Sequence, residues 1–146
     1  MIFFLKQEGV SMLNNDIFKW EDEVRDNEVD LQGVVNNANY FIYMAHARHK
    51  HLKELGIDFS VFHEQGYNLL LIQTNMNFKD SLRSGDIFII TSKLEAEGKI
   101  RLKFTQEVIR KSDQKVVTTA EHIGTCIFIE TKRPKFPEAL QKILGL

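Results

Sequence analysis

The chain has little of what would mark several large classes of protein. It has one cysteine in 146 residues, so an intramolecular disulfide framework is excluded and a reducing compartment is expected. No apolar run approaches the roughly 18 residues that a membrane-spanning helix needs, and the apolar stretch at residues 1–5 is too short for a signal-peptide core. We therefore expect a cytoplasmic protein without a membrane-inserted segment.

The chain also lacks a charge of one sign. Lys and Arg number 19 and Asp and Glu number 20, so no basic excess points to nucleic acid and no acidic tail points to a solvating segment. His46, His49 and His51 lie close together, but no His-Glu-x-x-His pattern accompanies them. These histidines are therefore interpreted as structural, and we expect no metal, no cofactor and no nucleic-acid partner.

What is present is the pattern of one α+β domain, since 146 residues suffice for one core and not comfortably for two. Loose alternation predicts a first strand over residues 16–26. Apolar residues then recur near the 3.6-residue period over residues 38–55, which predicts one long helix, with Asn36 or Asn37 as its cap and Gly56 as its stop. A short helical or irregular segment follows near residues 59–66.

The second half of the chain alternates with period two. This alternation predicts strands over residues 70–78, 87–94, 100–108 and 116–129, and a short C-terminal helix over residues 138–144. Tight turns make these strands antiparallel, and the helix needs a cover for its apolar stripe. A sheet that curls around the helix satisfies both needs. Cys126 lies within the last long strand, which favours a buried structural thiol over a nucleophile.

The segment just before the long helix carries the strongest functional signal. Asp30 precedes Gly33 by three residues, and Asn36 and Asn37 then open the helix. A carboxylate beside a helix N-terminus supplies a base or nucleophile next to a pole that stabilises an anion, which suits acyl transfer. The structural alternatives are that Asp30 only holds a turn and that the two asparagines are only caps.

Seven residues of this region, together with a later strand and turn, match a known pattern: Asp30, Gly33, Val35, Asn39, Tyr40, Ala47 and Arg48, then Phe78, Leu82, Gly85 and Asp86. With this pattern the chain resembles the hot-dog fold, and more narrowly the 4-hydroxybenzoyl-CoA thioesterase and acyl-CoA thioesterase family. The resemblance implies a single hot-dog domain, a curled antiparallel sheet wrapped around one long helix, over residues 12–146. Residues 1–11 are expected to be a non-native or disordered extension.

The resemblance implies hydrolysis of an acyl-CoA thioester to a free acid and CoA. In that scheme Asp30 is the base or nucleophile, Gly33 allows close approach of the backbone, and the N–H of Asn37 stabilises the oxyanion. Candidate substrate-binding residues are Val34, Asn36, Tyr40, His46, Tyr67 and Leu69, with Phe41 and Leu71 as further lining. Candidate CoA-binding residues are Lys79, Arg83, Arg110 and Lys111. Core packing and simple solvation are the alternatives for these two sets.

The sequence departs from the family at two points, and from the related acyl-carrier-protein thioesterases at two others. Many members have a histidine where this chain has Asn37, and many have an acidic residue where it has His46. Acyl-carrier-protein thioesterases carry Asn and His where it has Gln32 and Val34, and typically contain two hot-dog units. A carrier-protein thioesterase therefore remains the second enzyme hypothesis.

The resemblance also implies a homo-oligomer, a dimer or a dimer of dimers, because an edge strand of a small curled sheet would otherwise stay unpaired. A catalytically silent acyl-CoA-binding protein is the non-enzyme hypothesis. A hot-dog transcription regulator is disfavoured, because no DNA-binding helix pair or basic region is present.

Overall fold

A long helix lies against one antiparallel sheet in the computed structural model, which describes residues 17–146. Asn36 caps this helix, α1 (Asn37–Glu54), because its side chain accepts a hydrogen bond from the N–H of Ala38 at 2.9 Å. The helix ends where the N–H of Leu55 bonds back to the last turn and Gly56 adopts a φ of +85°. The predicted helix and its glycine stop are confirmed, and the bounds differ by one residue.

The remaining elements follow the predicted order. They are strand β1 (Phe18–Glu23), helix α2 (Phe59–Glu64), strands β2 (Tyr67–Phe78), β3 (Ile87–Glu97), β4 (Arg101–Arg110), β5 (Lys115–Phe128) and β6 (Arg133–Pro134), and helix α3 (Glu138–Leu144). A single-turn 3-10 helix (Asp26–Glu28) and the two-residue β6 were not predicted. The proposed extension at residues 1–11 lies outside the described residues. In residues 17–146 no helix has the length and apolarity to cross a membrane.

The sheet places β1 and β2 at its two edges. Its strand order is β1-β3-β4-β5-β2, every pairing is antiparallel, and β6 adds to β5. The predicted α+β class, with a curled antiparallel sheet around one long helix, is confirmed. The start of α1 lies at the end of the sheet where β2 ends and β3 begins. The loop before α1 therefore contacts the connection between these two strands.

Two apolar clusters fill the space between α1 and the sheet. The first surrounds the N-terminal half of α1 and includes Met44, Leu82 and Phe88, whereas the second surrounds its C-terminal end and is closed by α3. Cys126 belongs to the second cluster and is fully buried. Burial raises the pKa of its thiol to about 11. The prediction of a buried structural thiol is confirmed.

A buried polar network also joins α1 to the sheet. Gln106 of β4 accepts a hydrogen bond from Arg48 at 3.2 Å and donates to the carbonyl of Met44 at 3.2 Å and to Ser92 at 3.3 Å. Ser92 Oγ in turn lies 2.9 Å from Nδ1 of His51. Because unpaired polar groups are costly in a core, this network fixes the position of the helix across the sheet.

His51 of α1 and His122 of β5 are both fully buried between the helix and the sheet. Desolvation is the main cause that lowers their pKa values, to about 4 for His51 and about 3 for His122. Both rings are therefore neutral in the folded protein at neutral pH. An unfolded chain would bind protons on both of them near pH 6.5.

Acidification should consequently destabilise the fold. A histidine whose folded pKa lies below its unfolded value gives stability that is complete above about pH 6.5 and is lost as the pH falls toward the folded value. We expect the free energy of unfolding to drop by about 2 kcal/mol per histidine between pH 7.5 and 5. Urea unfolding followed by Trp20 fluorescence measures this drop. His122→Gln should roughly halve it, and exposed His63→Gln should leave it unchanged; an equal drop in all three proteins would contradict the prediction.

Candidate active site

Asp30 lies at the base of a tight hairpin loop that leads into α1. Its N–H donates to the carbonyl of Val34 at 2.8 Å, and the N–H of Gly33 donates to the Asp30 carbonyl at 2.9 Å. Val29 and Val35 form an antiparallel bridge at the open end of the loop. The loop therefore holds Asp30 in one position next to the helix start.

The Asp30 carboxylate divides its two oxygens between structure and solvent. Oδ1 accepts the N–H of Gln32 at 2.8 Å and the N–H of Val34 at 3.4 Å, which is the turn-holding arrangement that was the structural alternative for this residue. Within residues 17–146, Oδ2 has no hydrogen-bond partner, and the side chain is exposed. One oxygen thus fixes the carboxylate while the other is free to act on a ligand.

Gly33 allows the loop to close beneath a cation. Its φ is +80°, which strains any residue with a side chain, and a Cβ at this position would lie 3.8 Å from Nη1 of Arg83. Arg83 precedes the turn into β3, and its N–H is held by Asp86 at 2.8 Å. The structure therefore brings together Gly33, from the predicted catalytic set, and Arg83, from the predicted CoA-binding set.

The first turn of α1 offers an unused backbone donor. The Asn36 side chain takes the N–H of Ala38, and the Asn36 carbonyl takes the N–H of Asn39 at 2.9 Å. Among the described residues, no acceptor lies on the N–H of Asn37. A free N–H at the positive end of a helix is suited to stabilise an oxyanion.

Glu28 clamps the start of the loop to α1. Its carboxylate accepts the hydroxyl of Tyr43 at 2.8 Å and the N–H of Arg25 at 2.9 Å. Its carbonyl accepts Nδ2 of Asn39 at 2.9 Å and the N–H of Asn36 at 3.2 Å. Burial and the neighbouring Glu28 carboxylate both raise the pKa of Tyr43, so its hydroxyl stays protonated and keeps donating.

Leu82 provides the matching clamp from the sheet side. Its carbonyl accepts the N–H of Val35 at 2.9 Å, and its N–H donates to the hydroxyl of Tyr40 at 2.9 Å. Tyr40, a predicted substrate-binding residue, is buried in the first cluster, and its pKa is raised mainly by that burial. Its side chain supports the loop from behind.

The four predicted CoA-binding cations all lie at this end of the sheet: Lys79 and Arg83 follow β2, Arg110 ends β4 and Lys111 follows it. Arg110 donates to Asp80 and Asp113, each at 2.9 Å, and to the carbonyl of Ser81 at 2.7 Å. Lys111 pairs with Glu21 at 3.0 Å. Lys79 and Arg83 have no ion-pair partner within residues 17–146. Arg110 is therefore anchored, and Lys79 and Arg83 remain open to an anion.

Three predicted substrate-binding residues lie in other parts of the fold, away from Asp30. Tyr67 and Leu69 begin β2, at the opposite end of the strand, where Tyr67 packs 5.2 Å from the Phe128 ring. His46 lies on the β1 side of α1, with its ring 5.3 Å from Trp20, beside a cavity of about 200 Å³. Within one chain the structure does not bring these three to Asp30, whereas Val34 and Asn36 flank it.

Sequence analysis missed the Glu28 clamp and the buried polar groups of the sheet. Glu28 and Tyr43 are 15 residues apart and in different elements, so no local spacing connects them. Ser92, Gln106 and His122 did carry a signal, since each is a polar residue at a helix-facing position of an alternating strand.

Comparison with known proteins shows the family of the chain. The family model for the Thioesterase-like superfamily matches residues 24–144. The chain belongs to the Thioesterase-like superfamily. Its members are thioester hydrolases of the hot-dog fold, so the predicted family, fold and enzyme class are confirmed.

Individual relatives differ in what they act on. The chain is 30% identical over 143 residues to the chloroplastic acyl-acyl carrier protein thioesterase ATL3 of Arabidopsis thaliana. The match covers 97% of the chain and 73% of that protein. It is 25% identical over 119 residues to the putative acyl-CoA thioesterase YneP of Bacillus subtilis, covering 81% and 85%. The 1,4-dihydroxy-2-naphthoyl-CoA thioesterase Slr0204 of Synechocystis superposes with a TM-score of 0.83 at 17% identity, covering 89% and 96%, and shows the same fold.

The Glu28 clamp yields a prediction about positioning. Tyr43→Phe removes the hydroxyl that holds the Glu28 carboxylate, so the Asp30 loop should move and kcat for thioester hydrolysis should fall about 10-fold or more with little change in KM. Glu28→Ala should behave alike. Steady-state kinetics on one ester measure both.

Two controls separate positioning from general damage. Glu28→Gln keeps an oxygen that accepts from Tyr43 and should retain most of the wild-type kcat. Glu64→Ala, in the exposed face of α2, should leave kcat unchanged. A Tyr43→Phe enzyme with wild-type kcat would show that the clamp does not position the catalytic loop.

Proposed function

We propose that the protein hydrolyses acyl-CoA thioesters at the Asp30 loop. The observation that carries the proposal is the Asp30 carboxylate, held by Oδ1 with Oδ2 free, in a loop that leads directly into the first turn of α1 and its unused Asn37 N–H. Thioester hydrolysis needs both a nucleophile or base and a donor for the developing oxyanion. This end of α1 supplies the two together.

Two routes fit the same residues. As a base, Asp30 takes a proton from water, the hydroxide adds to the thioester carbonyl, and the Asn37 N–H stabilises the oxyanion. Collapse of the adduct breaks the carbon–sulfur bond, and the CoA thiolate leaves with the proton from Asp30. As a nucleophile, Asp30 instead forms a mixed anhydride and releases CoA before water hydrolyses the anhydride. Thiolate leaves readily in either route, so no separate general acid is required.

Recognition of CoA is proposed to rest mainly on Arg83 and Lys79. Both are exposed and unpaired in the described residues, and Arg83 reaches over Gly33 in the catalytic loop. A guanidinium is suited to phosphate because it presents several donors in one plane. Arg110 and Lys111 are proposed to contribute indirectly, since their ion pairs order the neighbouring segments.

We propose that the active unit is a dimer formed through β2. This strand is an edge of the sheet, and Leu70, Leu71, Ile72 and Phe78 are exposed along it. An open apolar edge favours pairing with another strand. Two-fold antiparallel pairing about the middle of β2 would bring Tyr67 and Leu69 of the partner subunit beside Met76 and Phe78, toward the Asp30 end. That arrangement would reunite the predicted substrate-binding residues, and a dimer of dimers is the further expectation.

The dimer is tested by the double substitution Leu71→Lys and Ile72→Lys. Charges on the pairing edge should shift the protein to a monomer and lower hydrolysis, as measured by sedimentation velocity and kinetics. Ile100→Lys changes an equally exposed residue in the β3–β4 turn and should preserve the dimer. If wild type is already monomeric and fully active, the proposal is wrong.

The catalytic role of Asp30 is tested with Asp30→Asn, which keeps the shape and a hydrogen-bond acceptor for the loop. Thiol release from short, long and aromatic acyl-CoA esters should fall at least about 100-fold, since a base or nucleophile is lost while the oxyanion donor remains. An unchanged rate would make Asp30 a turn residue only. Arg83→Gln should instead raise KM for CoA esters and leave kcat nearly constant.

Hydrolysis of acyl-carrier-protein thioesters is the second candidate. The 30% identity to the Arabidopsis enzyme favours it, and because the match spans 73% of that relative it is not confined to one half of a two-unit enzyme. The two candidate functions are distinguished by measuring kcat/KM for the same acyl chain attached to CoA and to acyl carrier protein. Binding of both esters without turnover would instead identify a non-catalytic binding protein.

The proposal includes a cytoplasmic location. The single cysteine is buried and forms no disulfide, which fits a compartment that keeps thiols reduced. Fractionation of the native host, with antibody detection of the protein, tests this location.

A further inference from the structure

The groove between α1 and β2 is the open side of the core. Helix α1 packs mainly on β1, β3 and β4, so the helix-facing side of β2 has little cover. Thr74 is exposed on this side of the sheet. The Phe78 side chain is 46% exposed, although it faces the helix. The Phe78 and Tyr40 ring centroids are 5.9 Å apart, so this open side begins near the start of α1.

The floor of this groove is polar and incompletely satisfied. Thr118 and His122 of β5 are fully buried on the helix side of the sheet. Nδ1 of His122 lies 3.1 Å from Oγ1 of Thr74, but Nε2 of His122 and Oγ1 of Thr118 have no partner among the described residues. Unpaired buried polar atoms are rare in native cores and point to a missing partner.

A buried cation lies next to this floor. Arg48 is only 9% exposed, and its guanidinium has one hydrogen-bond partner in residues 17–146, the neutral amide oxygen of Gln106. No carboxylate of those residues pairs with it. Desolvation lowers the pKa of Arg48 to about 10, so the side chain stays charged at neutral pH. Its charge also contributes to the low pKa of His122, after the larger effect of desolvation.

Phe41 lies on α1 between the catalytic end of the groove and Arg48. Asn37, Phe41 and Arg48 lie four and seven residues apart and so share one face of α1. The Phe41 ring is 6.0 Å from the His122 ring and 5.6 Å from the guanidinium of Arg48. An acyl chain whose carbonyl meets the Asn37 N–H, and which follows the helix, would pass Phe41 and then reach Arg48 and His122.

We propose that Arg48 and His122 form an anion-binding end of the acyl groove, and that the preferred acyl group carries a carboxylate at its far end. The substrate class is therefore the CoA monothioester of a dicarboxylic acid. This inference rests on the proposed function, because it uses the same Asp30 site for the chemistry.

The chemistry favours a carboxylate over an uncharged chain end. A guanidinium without a counter-ion is costly to bury, and a carboxylate gives it a charge-assisted, bidentate partner. Nε2–H of neutral His122 can donate to the same group. A plain alkyl chain would cover these groups and leave them unpaired, which strongly disfavours its binding.

The test compares pairs of esters of equal length. Adipyl-, suberyl- and sebacyl-CoA are assayed against hexanoyl-, octanoyl- and decanoyl-CoA. A control, ω-hydroxyoctanoyl-CoA, carries an uncharged hydroxyl at the end of the chain. We expect kcat/KM to favour one dicarboxylic ester at least tenfold over its alkyl partner. Equal values, a preference for alkyl esters, or a hydroxy ester that exceeds suberyl-CoA would overturn the proposal.

Variants assign the preference to its residues. Arg48→Met retains the length of the side chain without its charge, and should abolish the preference, because kcat/KM falls for the dicarboxylic ester and does not fall for its alkyl partner. Arg101→Met removes an exposed cation at the start of β4 and should preserve the preference for the dicarboxylic ester. If Arg48→Met does not fold, inhibition of wild type by free suberate and octanoate replaces it, and equal inhibition by the two overturns the proposal.

Failure of the proposed function can be told apart from failure of this inference. If no CoA ester is hydrolysed, thioesterase activity on CoA is wrong, and calorimetric binding of suberyl-CoA against octanoyl-CoA still tests the groove. If CoA esters are hydrolysed without regard to a terminal carboxylate, only the inference on Arg48 and His122 is wrong.

Discussion

The two backbone hydrogen bonds of Leu82 are the constraint on which the active end of the molecule depends. Leu82 is fully buried, and it ties Val35, just after the Asp30 loop, and Tyr40, in the first turns of α1, to the segment between β2 and β3. Buried backbone groups must be paired, and both backbone groups of Leu82 find their partners here. The loop, the helix start and the Arg83 segment are thus held as one unit, as electrostatic stabilisation of a transition state requires.

The two halves of α1 have different tasks. Its N-terminal half presents free groups, the Asn37 N–H and the neighbouring Asp30 carboxylate, at a surface where substrate can reach them. Its C-terminal half is anchored by apolar packing and by the Arg48–Gln106 and His51–Ser92 contacts. Attachment at one end therefore fixes the helix while groups at the other end stay available to a ligand.

Much of the fold could be predicted because its signals are local. The 3.6-residue spacing, Asn36 and Gly56 define α1, and period-two alternation between turn residues defines β3 and β5. The position of Asp30 beside the helix start follows from sequence adjacency. The order of strands, the Glu28–Tyr43 bond and the Arg48–Gln106 bond, whose partners are 58 residues apart, arise only when distant segments meet. Sequence could therefore identify the catalytic loop but not the residues that hold it.

The burial of Cys126 has a practical consequence for the study of this protein. Its thiol is enclosed by the second cluster, and its raised pKa keeps it protonated at neutral pH, so reagents that attack thiolates will not reach it in the native state. Colour developed with such a reagent will therefore come from liberated CoA alone. The same cysteine becomes reactive when the domain opens, so its rate of alkylation doubles as a reporter of native-state fluctuations, with one label per chain and no engineered site.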